Sequence, residues 1–191
     1  MNPIFDLRGE HEAMTIILSA MKKIASDIHI NNLVDLFRIG QIIEFLRTFN
    51  HNSHHEKEEK ILFPAILECN IPWTIDSIAH LVKEHSLLHK HLSDLDTHLH
   101  EYLIGQTLSL EKVASDLTKY ISLAENHISV ENSILLPLAE KVLDKKKQEI
   151  IFMDFRHIQN TQVGHNNHLV FYILLTKLYS AVKVEYAEEY L

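Results

Sequence analysis

Residues 54–64 read HHEKEEKILFP, placing two histidines and three glutamates in six positions ahead of an apolar run. Residues 127–137, HISVENSILLP, repeat the pattern: His-x-x-x-Glu, a second polar residue, then x-Ile-Leu-x-Pro. Upstream, Glu-His occurs at both His11 and His85. His11 and His85 are 74 residues apart, and His54 to His127 and Glu58 to Glu131 are each 73, so the chain carries two copies of one helix pair. Residues four apart on a helix share a face, with Cβ atoms about 5–6 Å apart. His54 and Glu58 lead on to Leu62, whereas His55 and Glu59 are turned by about 100° and lead to Phe63. The second copy decides between the two faces. His54 and Glu58 have counterparts in His127 and Glu131, while His55 and Glu59 face Ile128 and Asn132 in the alignment. The reading therefore points His54 and Glu58 inward and Glu56, Lys57 and Lys60 outward, with His55 and Glu59 on a solvated or interhelical face.

Six groups then point at one core: His11, His54, Glu58, His85, His127 and Glu131, with His89 as a seventh. A buried, unpaired carboxylate costs several kcal/mol, and no Lys or Arg lies at these inward positions to offset it. Metal ions do offset it, because cations neutralise glutamate and imidazole nitrogens donate to them. Imidazole with carboxylate suits iron, manganese or zinc. Two carboxylates from different helices suggest two ions with shared ligands. Two six-coordinate ions offer about twelve positions: bridging carboxylates fill four, a bridging oxygen two and five histidines five, leaving one open, or two without His89.

The elements that must position these groups are helical almost throughout. Leu7, His11, Met14, Leu18 and Met21 form one stripe in residues 3–27, and Ile78, Leu81, His85, Leu88, His89, Leu92 and Leu95 form another in 74–103. Residues 31–68 and 110–142 supply the other two helices, with a kink or early stop expected at Pro64. Four amphipathic helices with short links predict an all-α, antiparallel up-down four-helix bundle over residues 1–144. Residues 145–191 read as a C-terminal helical extension broken near Gly164, packing on the bundle or on a partner subunit. Tyr172, Leu175, Leu178 and Tyr179 give it an apolar face suited to a homodimer.

Composition narrows the function. The chain has 191 residues and a formal net charge of -8, which argues against a nucleic-acid partner. No apolar stretch approaches the roughly 18 residues of a membrane span, and no signal peptide is read at the N-terminus. The single cysteine, Cys69, excludes an internal disulfide and fits a cytoplasmic protein. Of fifteen histidines, His51, His80, His91, His98 and His100 read as surface residues, and His157, His165 and His168 fall outside the repeat. Glu10 and Glu84 precede inward histidines but face differently, towards solvent or, as the alternative, in support of those histidines, and Tyr120 reads as core packing, with the border of the pocket as the alternative.

The Glu-His on helix one, HHEKEEKILFP, the Glu-His on helix three and HISVENSILLP together resemble the hemerythrin-like, or HHE cation-binding, domain over residues 4–142. The resemblance implies a four-helix bundle around two non-haem iron ions with an oxo or hydroxo bridge. Hemerythrins proper supply two histidines four apart from helix three, which His85 and His89 match. The related Repair of Iron Centers proteins use four histidines and two glutamates, and the His-x-x-x-Glu of helix four matches them better than the His-x-x-x-x-Asp of hemerythrins. The expected function is binding or sensing of dioxygen, nitric oxide or a peroxide at an open iron position. The alternatives are a di-iron redox enzyme for peroxide reduction, nitric oxide reduction or iron-centre repair; iron storage or sensing; and a purely structural bundle.

Overall fold

The computed structural model describes residues 2–31, 34–162 and 173–178, and no strand occurs among the described residues. Helix α1 is Pro3–Asn31. Helix α2 covers residues 36–67 and is capped by Asp35, whose carboxylate accepts the Arg38 amide at 3.0 Å. Helix α3 is Thr74–Leu103. It ends at Gly105, whose φ of 95° only glycine adopts freely. The Gly105 amide bonds Tyr102 and the Gln106 amide bonds Glu101, closing the last turn. Helix α4 covers residues 109–142 and helix α5 is Lys145–Gln162.

At Pro64, where a kink or early stop is expected, the helix changes type and continues. Pro64 lacks an amide hydrogen and its ring crowds the carbonyl four residues back, so an α-helical ladder cannot pass through it. The turn before it, Glu58–Leu62, is instead π-helical, with the Phe63 amide bonded five residues back to Glu58. Pro137 in α4 has the same solution: Glu131–Leu135 is π-helical and the Leu136 amide bonds Glu131. A longer π stretch, Leu46–His54, precedes the first. Both helices thus continue beyond their prolines, and each widened turn begins at one of the two inward glutamates.

Two apolar clusters fill the bundle. One contains Leu7, Leu62, Leu81 and Leu135; the other contains Met14, Leu46, Leu88 and Ala124. Helices α1 and α3 pass from the first cluster to the second, and α2 and α4 return. Between the clusters every helix contributes polar residues, so the histidines and glutamates form one buried layer with apolar matter on both sides. The extension also contributes to the core. Ile151 and Phe155 of α5 are buried in the first cluster, and Leu174 and Leu178 in the second. Tyr172, Tyr179 and the break near Gly164, like His165 and His168, lie outside the described residues. Among the described residues, no helix is long and apolar enough to cross a membrane.

Candidate metal centre

The structure brings six of the seven candidates together. His11 from α1, His54 and Glu58 from α2, His85 from α3, and His127 and Glu131 from α4 are all buried, and both glutamates are 0% exposed. Their donor atoms form two overlapping groups, His11–His54–Glu58–Glu131 and Glu58–His85–His127–Glu131. Both groups share both carboxylates.

The imidazoles are held by one ring nitrogen each. His11 Nδ1 donates to Asn132 at 2.9 Å, and His54 Nδ1 to Glu10 at 2.8 Å. His85 Nδ1 donates to Glu59 at 2.6 Å, and His127 Nδ1 to Glu84 at 2.9 Å. A bond of this kind fixes the tautomer and the ring plane, leaving Nε2 with its lone pair in a neutral ring. Those Nε2 atoms face each other in pairs, His11 to His54 at 3.1 Å and His85 to His127 at 3.0 Å. Two lone pairs that close repel unless a proton or a metal cation lies between them.

The glutamates make the same demand from the other side. Glu58 lies 3.5 Å from His54 Nε2 and 3.3 Å from His85 Nε2; Glu131 lies 3.2 Å from His11 Nε2 and 3.4 Å from His127 Nε2. None of these approaches has hydrogen-bond geometry, and all four carboxylate oxygens are buried without a hydrogen-bond partner. A buried oxygen left so is costly. The donor set therefore fits metal ions on structural grounds: four Nε2 lone pairs and four unsatisfied carboxylate oxygens converge on two points. The pair spacing agrees, since two nitrogens each about 2.1 Å from one ion at right angles lie about 3 Å apart.

Electrostatics follow from this crowding. Burial opposes ionisation of Glu58, but the imidazoles of His54, His85 and His11 outweigh it and hold the carboxyl below its ordinary range. Burial lowers the basicity of His11, yet contact with Glu131 dominates and raises it to about 9. Glu58 and Glu59 likewise raise His85 to about 9 against the effect of its burial.

Several supporting residues depart from the sequence reading. Glu10 and Glu84 take the alternative reading, support of the ligands, and not the solvated face: both are buried and accept from His54 and His127. Glu59 and Asn132 hold His85 and His11. These four acceptors obey the repeat themselves, 74 residues apart for Glu10 and Glu84 and 73 for Glu59 and Asn132. Lys57, expected outside, is 0% exposed, bonded to Glu10 at 2.5 Å and Asp6 at 3.2 Å, with its ammonium 5.6 Å from the Phe155 ring centroid. Helix α5 thus covers a face that local periodicity left to solvent. Burial works against the charge of Glu10, but His54 and Lys57 win and lower its pKa.

His89 stands apart from the other six. Its Nε2 meets His55 Nδ1 at 3.3 Å, and its ring stacks on His51 with centroids 3.9 Å apart. His55 is buried between it and the centre, stacked on His85 at 3.7 Å. His51, expected at the surface, is buried as well. Burial pushes His51 down to about 3 and His55 well below the usual imidazole range, with neighbouring histidines adding to both effects.

A family model described as the hemerythrin HHE cation binding domain matches residues 2–139. No curated protein and no solved structure matches the chain. With that span covering all six converging residues and the acceptors that orient them, the chain belongs to the hemerythrin HHE cation-binding domain family.

Proposed function

We propose that the chain holds two iron ions, one between His11 and His54 and one between His85 and His127, with Glu58 and Glu131 shared by both. One observation carries this reading: each facing pair of Nε2 atoms abuts the same two carboxylates, whose four oxygens have no other partner. Bound iron would supply reversible redox change and a site for a small molecule. Four histidines and two shared glutamates fill eight of about twelve positions on two six-coordinate ions, leaving room for a bridging oxygen and a ligand. Manganese and zinc accept the same donors, and iron is the choice the family favours.

The chain's own residues do the remaining work. Glu10, Glu84, Glu59 and Asn132 hold the rings so that only Nε2 is offered. The two apolar clusters exclude bulk water from the polar layer on both sides. The open positions support binding or sensing of dioxygen, nitric oxide or a peroxide. The two halves of the layer are not identical, since His55 and Glu59 stand where the repeat has Ile128 and Asn132. That asymmetry favours a second reading, a redox enzyme in which the two ions take different roles.

The test is an absorption spectrum of protein loaded with ferrous iron without oxygen, exposed to air, then freed of oxygen. A visible band that appears and reverses supports ligand binding. A band that persists until a reductant is added supports the redox enzyme. No iron uptake overturns both.

A further inference from the structure

Beside the carboxylate layer lies a second group of imidazoles that the centre does not use. His51, His55 and His89 each offer a ring nitrogen, and these three atoms lie within 4.8 Å of one another. No carboxylate belongs to the group. The polar contacts that tie it together are all long: His55 Nδ1 to His89 Nε2 at 3.3 Å, Asn50 Nδ2 to His55 Nε2 at 3.3 Å, Asn50 Nδ2 to Tyr120 Oη at 3.3 Å, and Tyr120 Oη to His51 Nε2 at 3.4 Å. Ordinary hydrogen bonds to nitrogen centre near 2.9–3.0 Å, so the network is loosely made.

We propose that His51, His55 and His89 form a third cation site, separate from the carboxylate-bridged centre, that takes one zinc or copper ion. The donor set selects the ion. Three imidazoles without a carboxylate suit zinc and copper, of which copper heads the affinity order for nitrogen sites, whereas magnesium and calcium need oxygen donors. Three histidines with a fourth position open is a common zinc arrangement, and here Tyr120 borders the fourth side.

Binding requires one adjustment. The His51, His55 and His89 rings are all nearly parallel, 7° to 21° apart, with His51 and His89 closest at 3.9 Å, and one ion cannot lie in all three planes as they stand. His89 is exposed on α3, so its side chain has room to turn, while His51 and His55 are fixed by burial. The site is therefore closed by the exposed histidine over two buried ones. Its ligand set is its own, but it adjoins the centre, since His55 stacks on His85 and its ring nitrogen lies close to those of His85 and His127.

The experiment is a zinc titration of the full, metal-free chain against a chromophoric chelator, with zinc per chain counted after gel filtration. The wild type, His89→Gln and His51→Gln are compared, and circular dichroism checks that each is folded. His89→Gln replaces an exposed residue and stands if His51→Gln fails to fold. The expected result is three equivalents in the wild type, with the third weakened about 100-fold or more in His89→Gln, since losing a ligand costs at least as much as losing a supporting contact. Copper(II) at the third equivalent should show nitrogen hyperfine structure that His89→Gln alters. Two equivalents in every protein would mean a hydrogen-bonded network only and overturn the proposal. A third equivalent unchanged by His89→Gln, held by other surface histidines, would also overturn it. One equivalent lost in His89→Gln, with no others present, would uphold this site and sink the dinuclear reading instead.

Discussion

Lys57→Met isolates the buried charge chain that supports one half of the centre. Lys57 is 0% exposed and links Glu10 and Asp6, and Glu10 in turn holds His54 Nδ1. Methionine keeps most of the stem's volume, so packing against Phe155 changes little and the charge is the variable. Removing one partner of a buried ion pair costs about 3–5 kcal/mol. Asp6 is 26% exposed and rehydrates, which puts the expected loss near the low end, about 3 kcal/mol. With a urea slope of about 2 kcal/mol per M, the midpoint of the metal-free protein should fall by about 1.5 M at pH 7. Lys57→Met with Glu10→Gln should recover most of that loss, because glutamine still accepts from His54 and leaves no buried charge. The sign with pH is fixed by Glu10, whose folded pKa lies below its ordinary 4.5. Its contribution is present above that value and lost as pH falls through the folded one, so the penalty should shrink in acid. A loss under about 1 kcal/mol, or a double variant no better than the single one, would mean that the Lys57–Glu10 pair carries no buried-charge penalty.

Two further outcomes are expected. Glu58→Ala should leave the chain unable to hold two ions, whereas Glu59→Ala should retain both with affinity about 10–100-fold weaker, because Glu59 only orients His85; equal effects by metal analysis would contradict the assignment. Loading metal at pH 7.5 should release about two protons per chain, one each from His11 and His85, which titrate near 9. Their raised values stabilise the metal-free protein below the ordinary 6.5, and that contribution is lost as pH rises through 9. Pulse calorimetry in buffers of different ionisation enthalpy checks the release, and no proton uptake by buffer would count against it.

The sequence made the all-helical fold legible because its apolar stripes are long, and the internal repeat identified six residues that converge in space. Glu10 and Glu84 could have been read from the same repeat, since each precedes an inward histidine; a side chain's reach across to the neighbouring helix is what a single-helix face count omits. The second copy sets His55 apart, because its counterpart there is Ile128. The π-helical turns on either side of 55–57 change the phase, so His55 enters the core without a counterpart in the second copy. His89 shares a stripe with His85, but four residues advance it about 6 Å along the helix, past the level of the carboxylates. Lys57 is hidden by α5, a contact from about a hundred residues later that no local pattern encodes.

Anomalous diffraction from crystals grown with iron would locate the ions bound by the histidine–glutamate layer. Two iron peaks are expected in the buried layer, one against His11 and His54 and one against His85 and His127, both touching Glu58 and Glu131. A single peak, or peaks that avoid the two glutamates, would contradict the dinuclear reading.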